Sequence, residues 1–171
     1  MMWERGYIPY KDSFDHKGPL LYIINLFGNK LLPVFGIWLI ELGFLTIAFW
    51  GMYKISRMLC DTFASVVVLL IASSPLFKYY EGGNLTEEYA MLFIVIALYI
   101  FMKYELRNSI WKGDLVVSGV CLGFTLLLRP NMIAVWFVFC VAIFVSLIRQ
   151  SKWSTLIKYV GWFSLGIFCS M

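Results

Sequence analysis

The stretch that decides the fold is VFGIWLIELGFLTIAFWGMY, residues 34–53, in which Glu41 is the single charged side chain. It holds 20 residues. At about 1.5 Å of rise per residue, a helix of that length crosses the roughly 30 Å hydrocarbon core of a bilayer. Lys54 and Arg57 follow it directly, as is typical of the end of a membrane span. The stretch therefore predicts a transmembrane helix.

The same pattern of apolar runs and short charged turns continues along the chain. Further spans are predicted at 62–77, 85–104, 115–128, 132–148 and from 159 onward. We expect Pro75 to close the first of these. Ahead of all of them, residues 20–32 form a short amphipathic segment between two prolines, which predicts a helix lying along the interface.

These runs predict an all-α, multi-pass transmembrane bundle of about six spans. Residues 1–33 would form an outer loop with the interfacial helix, and 34–171 the spans, in a single membrane domain. The start lacks the apolar region of a signal peptide, and the end stops inside an apolar run. We therefore expect the chain to be truncated at both ends.

The composition agrees with a membrane protein. The chain is 61% hydrophobic and 14% charged, with a mean hydropathy of +0.82. Soluble domains are about 45–50% apolar and about 25% charged. No basic run is interleaved with aromatics, which excludes a nucleic-acid-binding surface.

The positive charges are concentrated in every second predicted loop. One set of loops carries eight Lys and Arg residues: Lys54, Arg57, Lys103, Arg107, Lys112, Arg149, Lys152 and Lys158. The opposite set carries six of the ten acids. Because positive loops stay inside the cell, we place the first set in the cytoplasm and the acids outside. Any chemistry is expected on that outer face.

The most informative outer segment is YIPYKDSFDHKGPLLY, residues 7–22. It brings Asp12, Asp15, His16 and Lys17 together between prolines and aromatics. Such a mixture suits neither lipid nor a solvated linker. It is typical of a loop folded over a cavity at the membrane surface, where irregular backbone is buried in protein.

The string DSFDHKGPLLY, residues 12–22, resembles the first outer loop of bacterial membrane glycosyltransferases of the GT-C class. These are relatives of protein O-mannosyltransferases and of lipid A aminoarabinose transferases. GGNLTEEYA at 82–90 and LRPNM at 128–132 look like later segments of the same proteins. The resemblance implies an enzyme of the bacterial plasma membrane that takes a sugar from a polyprenyl-phosphate-linked donor on the extracytoplasmic face.

The resemblance also implies roles for individual residues. Lys17 matches a lysine that contacts the carrier phosphate, and His16 matches a position that organises the site, sometimes with a divalent metal as its ligand. The family's usual base is an Asp upstream of this loop, ahead of Met1, so the chain alone is expected to be inactive. Asp12 and Asp15 are nearby substitutes for that base.

The chemistry explains these residue types independently. Removing a sugar from a lipid phosphate leaves negative charge on the phosphate oxygens, which fixed cations stabilise best in a low-dielectric pocket. Lys17 and Arg129 are the candidate donor-phosphate ligands, since Arg binds phosphate in a bidentate way. A carboxylate must accept the proton of the attacking hydroxyl, and Glu88 joins the two Asp residues as a candidate.

Structural alternatives stand beside these roles. Lys17 could extend to lipid headgroups, and either Asp could be a turn residue. Asn84 and Glu87 have the spacing of a helix capping box. In that case both are supporting residues of the site, and Glu88 has no capping role.

Glu41 lies inside a span, where acids usually face the bundle interior. We predict Arg129 as its partner, either in the site or in a structural ion pair.

Two other functions remain open. A transporter or flippase would also explain Glu41, although the chain shows no internal repeat of the kind that many transporters have. A non-catalytic membrane subunit is the third candidate. In each case the expected partners are membrane lipids, with a lipid-linked sugar donor in the first, and the sugar, the acceptor and the oligomeric state stay open.

Overall fold

The computed structural model describes residues 18–79, 83–107 and 110–170. Across these ranges the chain is helical and forms no strand. The α-helices are α1 Pro19–Leu31, α2 Gly36–Leu59, α3 Thr62–Tyr79, α4 Thr86–Arg107, α5 Lys112–Leu128, α6 Ala134–Arg149 and α7 Trp153–Ser170. A 3-10 turn, Pro130–Ile133, leads into α6. The predicted all-α class is confirmed.

Three helices are long and apolar enough to cross a membrane: α2, α4 and the continuous segment Pro130–Arg149. The prediction of six spans is therefore supported for three of them. The others fall short for separate reasons. The helix α5 has 17 residues, the apolar part of α3 runs only from Thr62 to Pro75, and α7 carries Lys158 among several small polar residues.

The helix bounds differ from the predicted ones in instructive places. The helix α2 continues to Leu59, so Lys54 and Arg57 belong to its last turns and not to a loop. The helix α7 begins at Trp153, six residues before the predicted start, because Lys158 interrupts the apolar pattern but not the helix.

Pro75 was expected to end α3, but it lies inside the helix. Proline removes the backbone N–H that would bond the carbonyl four residues earlier, which here belongs to Ile71. The hydroxyl of Ser74 donates to that same carbonyl oxygen at 2.9 Å. Serine therefore satisfies the group that proline leaves free, as happens in membrane helices.

Helices α5 and α7 pack together through glycines. Gly119 and Gly123 have the GxxxG spacing on α5, where Gly119 faces Gly166 of α7 and Gly123 faces Ser170. A Cβ on Gly119 would lie only 3.0 Å from the Cα of Gly166 and would collide with the carbonyl oxygen of Phe163. Small residues allow such close backbone contact between helices in a membrane, where burial of apolar surface adds little attraction.

Helices α1, α2 and α4 meet around Tyr89, which is fully buried. Leu21, Ile24 and Leu128 complete this core, with Phe44 edge-on to the Tyr89 ring at 5.3 Å. The helices α1 and α2 run antiparallel, and Gly28 lies against Ile37 at their crossing. The side chain of Tyr89 thus joins α1, α2 and the last residue of α5 to the start of α4.

From α2 onward, successive helices alternate in direction, so the loops between them gather at two ends. The Arg129 end comprises Gly18, residues 83–88 and residues 128–131. The Lys103 end comprises residues 57–61, 103–107, 110–114 and 149–153. Large apolar side chains remain exposed between the ends, Phe63 at 78% and Phe168 at 81% among them. Their exposure is what a surface in contact with lipid requires.

Candidate functional site

The start of α4 forms the framework of the Arg129 end. Gly83 and Asn84 both have left-handed backbones, with φ of 79° and 60°. The helix then begins at Thr86, which makes Leu85 its N-cap residue. The backbone N–H of Leu85 donates to Glu88 Oε2 at 2.9 Å, the reciprocal half of a capping box.

The capping role predicted for Glu87 therefore belongs to Glu88. Both acids lie three residues after a residue able to occupy the cap position, and the sequence pattern favoured Asn84 because its side chain is the better cap. Asn84 instead accepts a hydrogen bond from the Tyr89 hydroxyl at 3.1 Å through Oδ1. It therefore supports the loop and not the first helical turn.

Glu41 reaches this loop from the second turn of α2. Its side chain is buried, with 2% of the residue exposed, and its Oε1 accepts the backbone N–H of Asn84 at 2.9 Å. The predicted partner, Arg129, was wrong, because Arg129 pairs with a different acid. Glu41 instead fixes the strained, left-handed residue that precedes α4.

Glu41 and Glu88 form a buried carboxyl pair. Their carboxylates are neighbours, since they accept the backbone N–H groups of the consecutive residues Asn84 and Leu85. Glu88 is 4% exposed, and its Oε1 is buried without a hydrogen-bond partner among the described residues. Two ionised carboxylates repel each other strongly at such a place, so the pair is favourable when it shares a positive charge, a proton or a small cation.

Asn25 is a further polar residue at this level that sequence reasoning missed. It lies on the buried face of α1 with Leu21 and Ile24, one turn before Gly28, and its Oδ1 has no hydrogen-bond partner in the described parts of the chain. The antiparallel register of α1 and α2 places it level with Glu41. An Asn on the apolar face of an amphipathic segment was the available signal.

Glu87 and Arg129 form the accessible part of the site. They are joined by an ion pair, and their side chains are 43% and 44% exposed. Thr86 Oγ1 donates to the other carboxylate oxygen, Oε2, at 2.8 Å. Arg129 follows the last residue of α5, and its backbone N–H bonds to Thr125 at 2.7 Å, so its position is set by the helix end.

The chain enters the described region beside this ion pair. The backbone N–H of Gly18 donates to the carbonyl of Leu128 at 3.2 Å. A Cβ at Gly18 would collide with the carbonyl oxygens of Leu127 and Leu128, so glycine is needed for this approach. Gly18 and the end of α5 therefore meet at the Arg129 end.

The remaining predicted site residues lie outside the described ranges. They are Asp12, Asp15, His16 and Lys17. The structure consequently brings together Glu41, Asn84 and Glu88 as one cluster and Glu87 with Arg129 as a second. No set of three or more His, Cys, Asp or Glu side chains with metal-binding geometry occurs in the described part of the chain, and the predicted ligand His16 lies beyond it.

The fold and the site define a helical membrane protein with a buried carboxyl pair and an accessible arginine at one end. The chain belongs to the family described as "Putative competence-induced protein Ccs4 N-terminal domain", whose model matches residues 1–155. The resemblance to GT-C glycosyltransferases was therefore wrong as a family assignment, because the matching family is not one of those enzymes. No curated protein and no solved structure matches the chain.

Proposed function

We propose that the chain forms part of a membrane enzyme that transfers a sugar from a polyprenyl-phosphate-linked donor. The chemistry of the Arg129 end, and not a family resemblance, supports this proposal. The main support is the ion pair between Glu87 and Arg129. It holds the Arg129 guanidinium, about half exposed, at one end of the helical bundle. Such a group is suited to a lipid-borne phosphate.

Glu87 keeps Arg129 in place until a phosphate arrives. Because both side chains are partly open to solvent, their attraction is screened and the carboxylate is readily exchanged for another anion. A phosphate dianion offers more charge and more acceptor oxygens than a carboxylate. Binding of the donor would therefore release Glu87 from Arg129 without disturbing the helix end.

Lys17 is the second cation in this proposal. It directly precedes Gly18, whose backbone is bonded to the residue before Arg129. The attachment of Gly18 supports a shared role for the two cations in neutralising the departing phosphate, since it anchors the end of the loop beside Arg129.

The acceptor's proton needs a base, and burial separates the candidates. Glu88 is enclosed and already accepts the Leu85 N–H, which favours a positioning role through the α4 N-terminus. Asp12 and Asp15, on the loop ahead of Gly18, are the candidates for the base, and His16 for a metal ligand.

The orientation follows from the charges. Six Lys and Arg residues lie in the Lys103 end, and Lys54 and Lys158 lie on the adjoining turns of α2 and α7; we place this end in the cytoplasm. The Arg129 end then faces outward, and the three remaining long helices, α3, α5 and α7, complete six crossings of the plasma membrane. The glycine contacts of α5 with α7 support this, since they suit a bilayer.

The test follows release of labelled sugar from polyprenyl phosphates that bear mannose, glucose or N-acetylglucosamine, in membranes that contain the whole enzyme of which the chain is proposed to form part. We expect Arg129→Gln and Lys17→Gln to reduce release by about tenfold or more, the loss of a charged hydrogen bond. Arg149→Gln, at the opposite end, is the matched control. Turnover that is absent with every donor, or equal in all three variants, would refute the proposal.

A transporter is the second candidate, favoured by the carboxyl pair of Glu41 and Glu88 within the bundle, since intramembrane acids often line ion pathways. Proteoliposomes separate the two functions. Movement of a labelled lipid or solute across the membrane without sugar transfer, abolished in Glu41→Gln, would replace the enzyme by the transporter.

A further inference from the structure

A cavity of about 280 Å³ opens on the side of the bundle between α4, α5, α6 and α7. Its wall is almost entirely apolar and includes Ala97, Phe101, Trp136, Cys140, Val160 and Phe163. Trp136 is itself buried, and its indole N–H donates to the carbonyl of Ser118 at 3.3 Å. The indole N–H of Trp136 is thereby satisfied, and the surface that the cavity presents is mostly hydrocarbon.

The cavity exists because α6 stands apart from its neighbours. Of the three candidate spans, the segment Pro130–Arg149 is the least enclosed within the described bundle. Helices α5 and α7 are held together by their glycines, whereas α6 contributes bulky aromatics that prevent an equally close approach. An apolar gap that opens sideways in a membrane is filled by hydrocarbon chains.

The cavity lies in the half of the bundle nearer the Lys103 end. Ile110 lines it between Arg107 and Lys112 in the sequence, and Leu156 lines it one turn after Lys152. The Nζ of Lys112 lies 5.5 Å from the ring centre of Trp162 on α7, next to the lining residue Phe163. Lys112 thus lies beside the cavity, and Arg107 and Lys152 are close in the sequence to residues that line it.

Few acids offset these cations. The Lys103 end carries six Lys and Arg residues against Asp61, Glu105 and Asp114. Asp114 is bonded to Lys103 at 2.8 Å, so its charge is neutralised. The rim therefore attracts an anion at the depth of the lipid headgroups, while the cavity beside it accepts a chain of methylene groups.

We propose that this cavity binds one anionic phospholipid of the cytoplasmic leaflet, with an acyl chain between α6 and α7 and its phosphate at the rim formed by Arg107, Lys112 and Lys152. Basic pockets between helices on the cytoplasmic side are suited to such headgroups. The site is at the end opposite Arg129, and it does not depend on the proposed transfer reaction.

The test is retention of lipid by the purified chain in native mass spectrometry after equilibration with equal amounts of phosphatidylglycerol and phosphatidylcholine. We expect one phosphatidylglycerol to remain bound. Arg107→Gln with Lys152→Gln should reduce its retention about tenfold or more, since each cation contributes to the attraction. Cys140→Phe, which places a ring in the cavity, should displace the lipid.

Two cations on α2 provide the matched control. Lys54→Gln with Arg57→Gln removes the same charge from the same end, away from the cavity, and should leave retention unchanged. A cooperative melting transition in every variant checks that it is folded, and phosphatidylglycerol should raise the melting temperature of wild type and control but not of Cys140→Phe. Equal retention of phosphatidylcholine, no retained lipid, or equal losses in both double variants would each overturn the proposal.

Discussion

The two ends of the bundle use charge in different ways. At the Arg129 end, Glu41 and Glu88 are buried and bonded to backbone N–H groups, so they determine where α4 begins. At the Lys103 end, the contact between Lys103 and Asp114 joins two side chains near the surface. Charge shapes the backbone at one end, whereas at the other it chiefly sets the electrostatic potential.

This difference has a physical origin in solvation. A buried carboxylate loses its water and must recover hydrogen bonds from the protein, so its removal leaves donors unpaired. A charge at the surface stays largely hydrated in the folded protein, so its ion pair adds little to the free energy of unfolding. The effects of substitution should therefore fall in order from the carboxyl pair to the exposed ion pairs.

The largest effect is expected at Glu41. Glu41→Ala removes the acceptor of the Asn84 N–H and should lower the free energy of unfolding in detergent by about 2–3 kcal/mol. Glu41→Gln keeps an acceptor oxygen, and its amide can donate to the unpartnered Glu88 Oε1, so it should cost less than about 1 kcal/mol. Equal losses in thermal unfolding of the two variants would contradict the role of the pair.

Glu88→Ala should have the next largest effect. It leaves the Leu85 N–H uncapped at the start of α4, which costs about 1–2 kcal/mol. Glu88→Gln retains an oxygen acceptor for that bond and should recover most of the loss. Hydrogen exchange at Leu85 gives the local measurement, and protection that is unchanged in Glu88→Ala would show that another group caps the helix.

At the opposite end, Lys103→Gln should cost only about 0.5 kcal/mol. The pair with Asp114 links α4 to α5, but its side chains are 29% and 19% exposed and remain partly hydrated. Added salt should weaken the wild type slightly and the variant not at all. A loss as large as that of Glu41→Ala would remove the distinction between the two ends.

The smallest change in stability is expected for Glu87→Ala, within about 0.5 kcal/mol, because both it and Arg129 are well exposed. Its effect on polyprenyl-phosphate binding should be a gain in affinity, whereas a variant that only damages the structure should lose affinity. Freed from its carboxylate, Arg129 should bind polyprenyl phosphate more tightly in nanodiscs than wild type does. Weaker binding would mean that Glu87 positions Arg129 for the phosphate.

The helical character of the chain could be predicted because apolar runs of span length leave few alternatives. The helix predicted at 20–32 is α1, Pro19–Leu31, almost residue for residue. The number of spans could not be predicted in the same way. Pro75 and Lys158 interrupt the apolar runs from which spans are counted, but they do not interrupt the helices α3 and α7.

The site was harder to predict because it depends on a shift of one residue. Asn84 with Glu87 and Leu85 with Glu88 have the same spacing, and only the left-handed backbone of Asn84 decides between them. That choice assigns one acid to the cap and the other to Arg129. The glycine spacing of Gly119 and Gly123 was readable in the sequence, but its partner Gly166 required the packing of α7.

Binding of polyprenyl phosphate to the chain in nanodiscs tests the central proposal most directly, without any need for turnover. Arg129→Gln should weaken binding by about tenfold or more, which is the contribution of one charged hydrogen bond. Arg149→Gln, which removes a positive charge at the Lys103 end, should bind as wild type does. If both variants bind equally well, or if Arg149→Gln shows the larger loss, the Arg129 end is not the phosphate site.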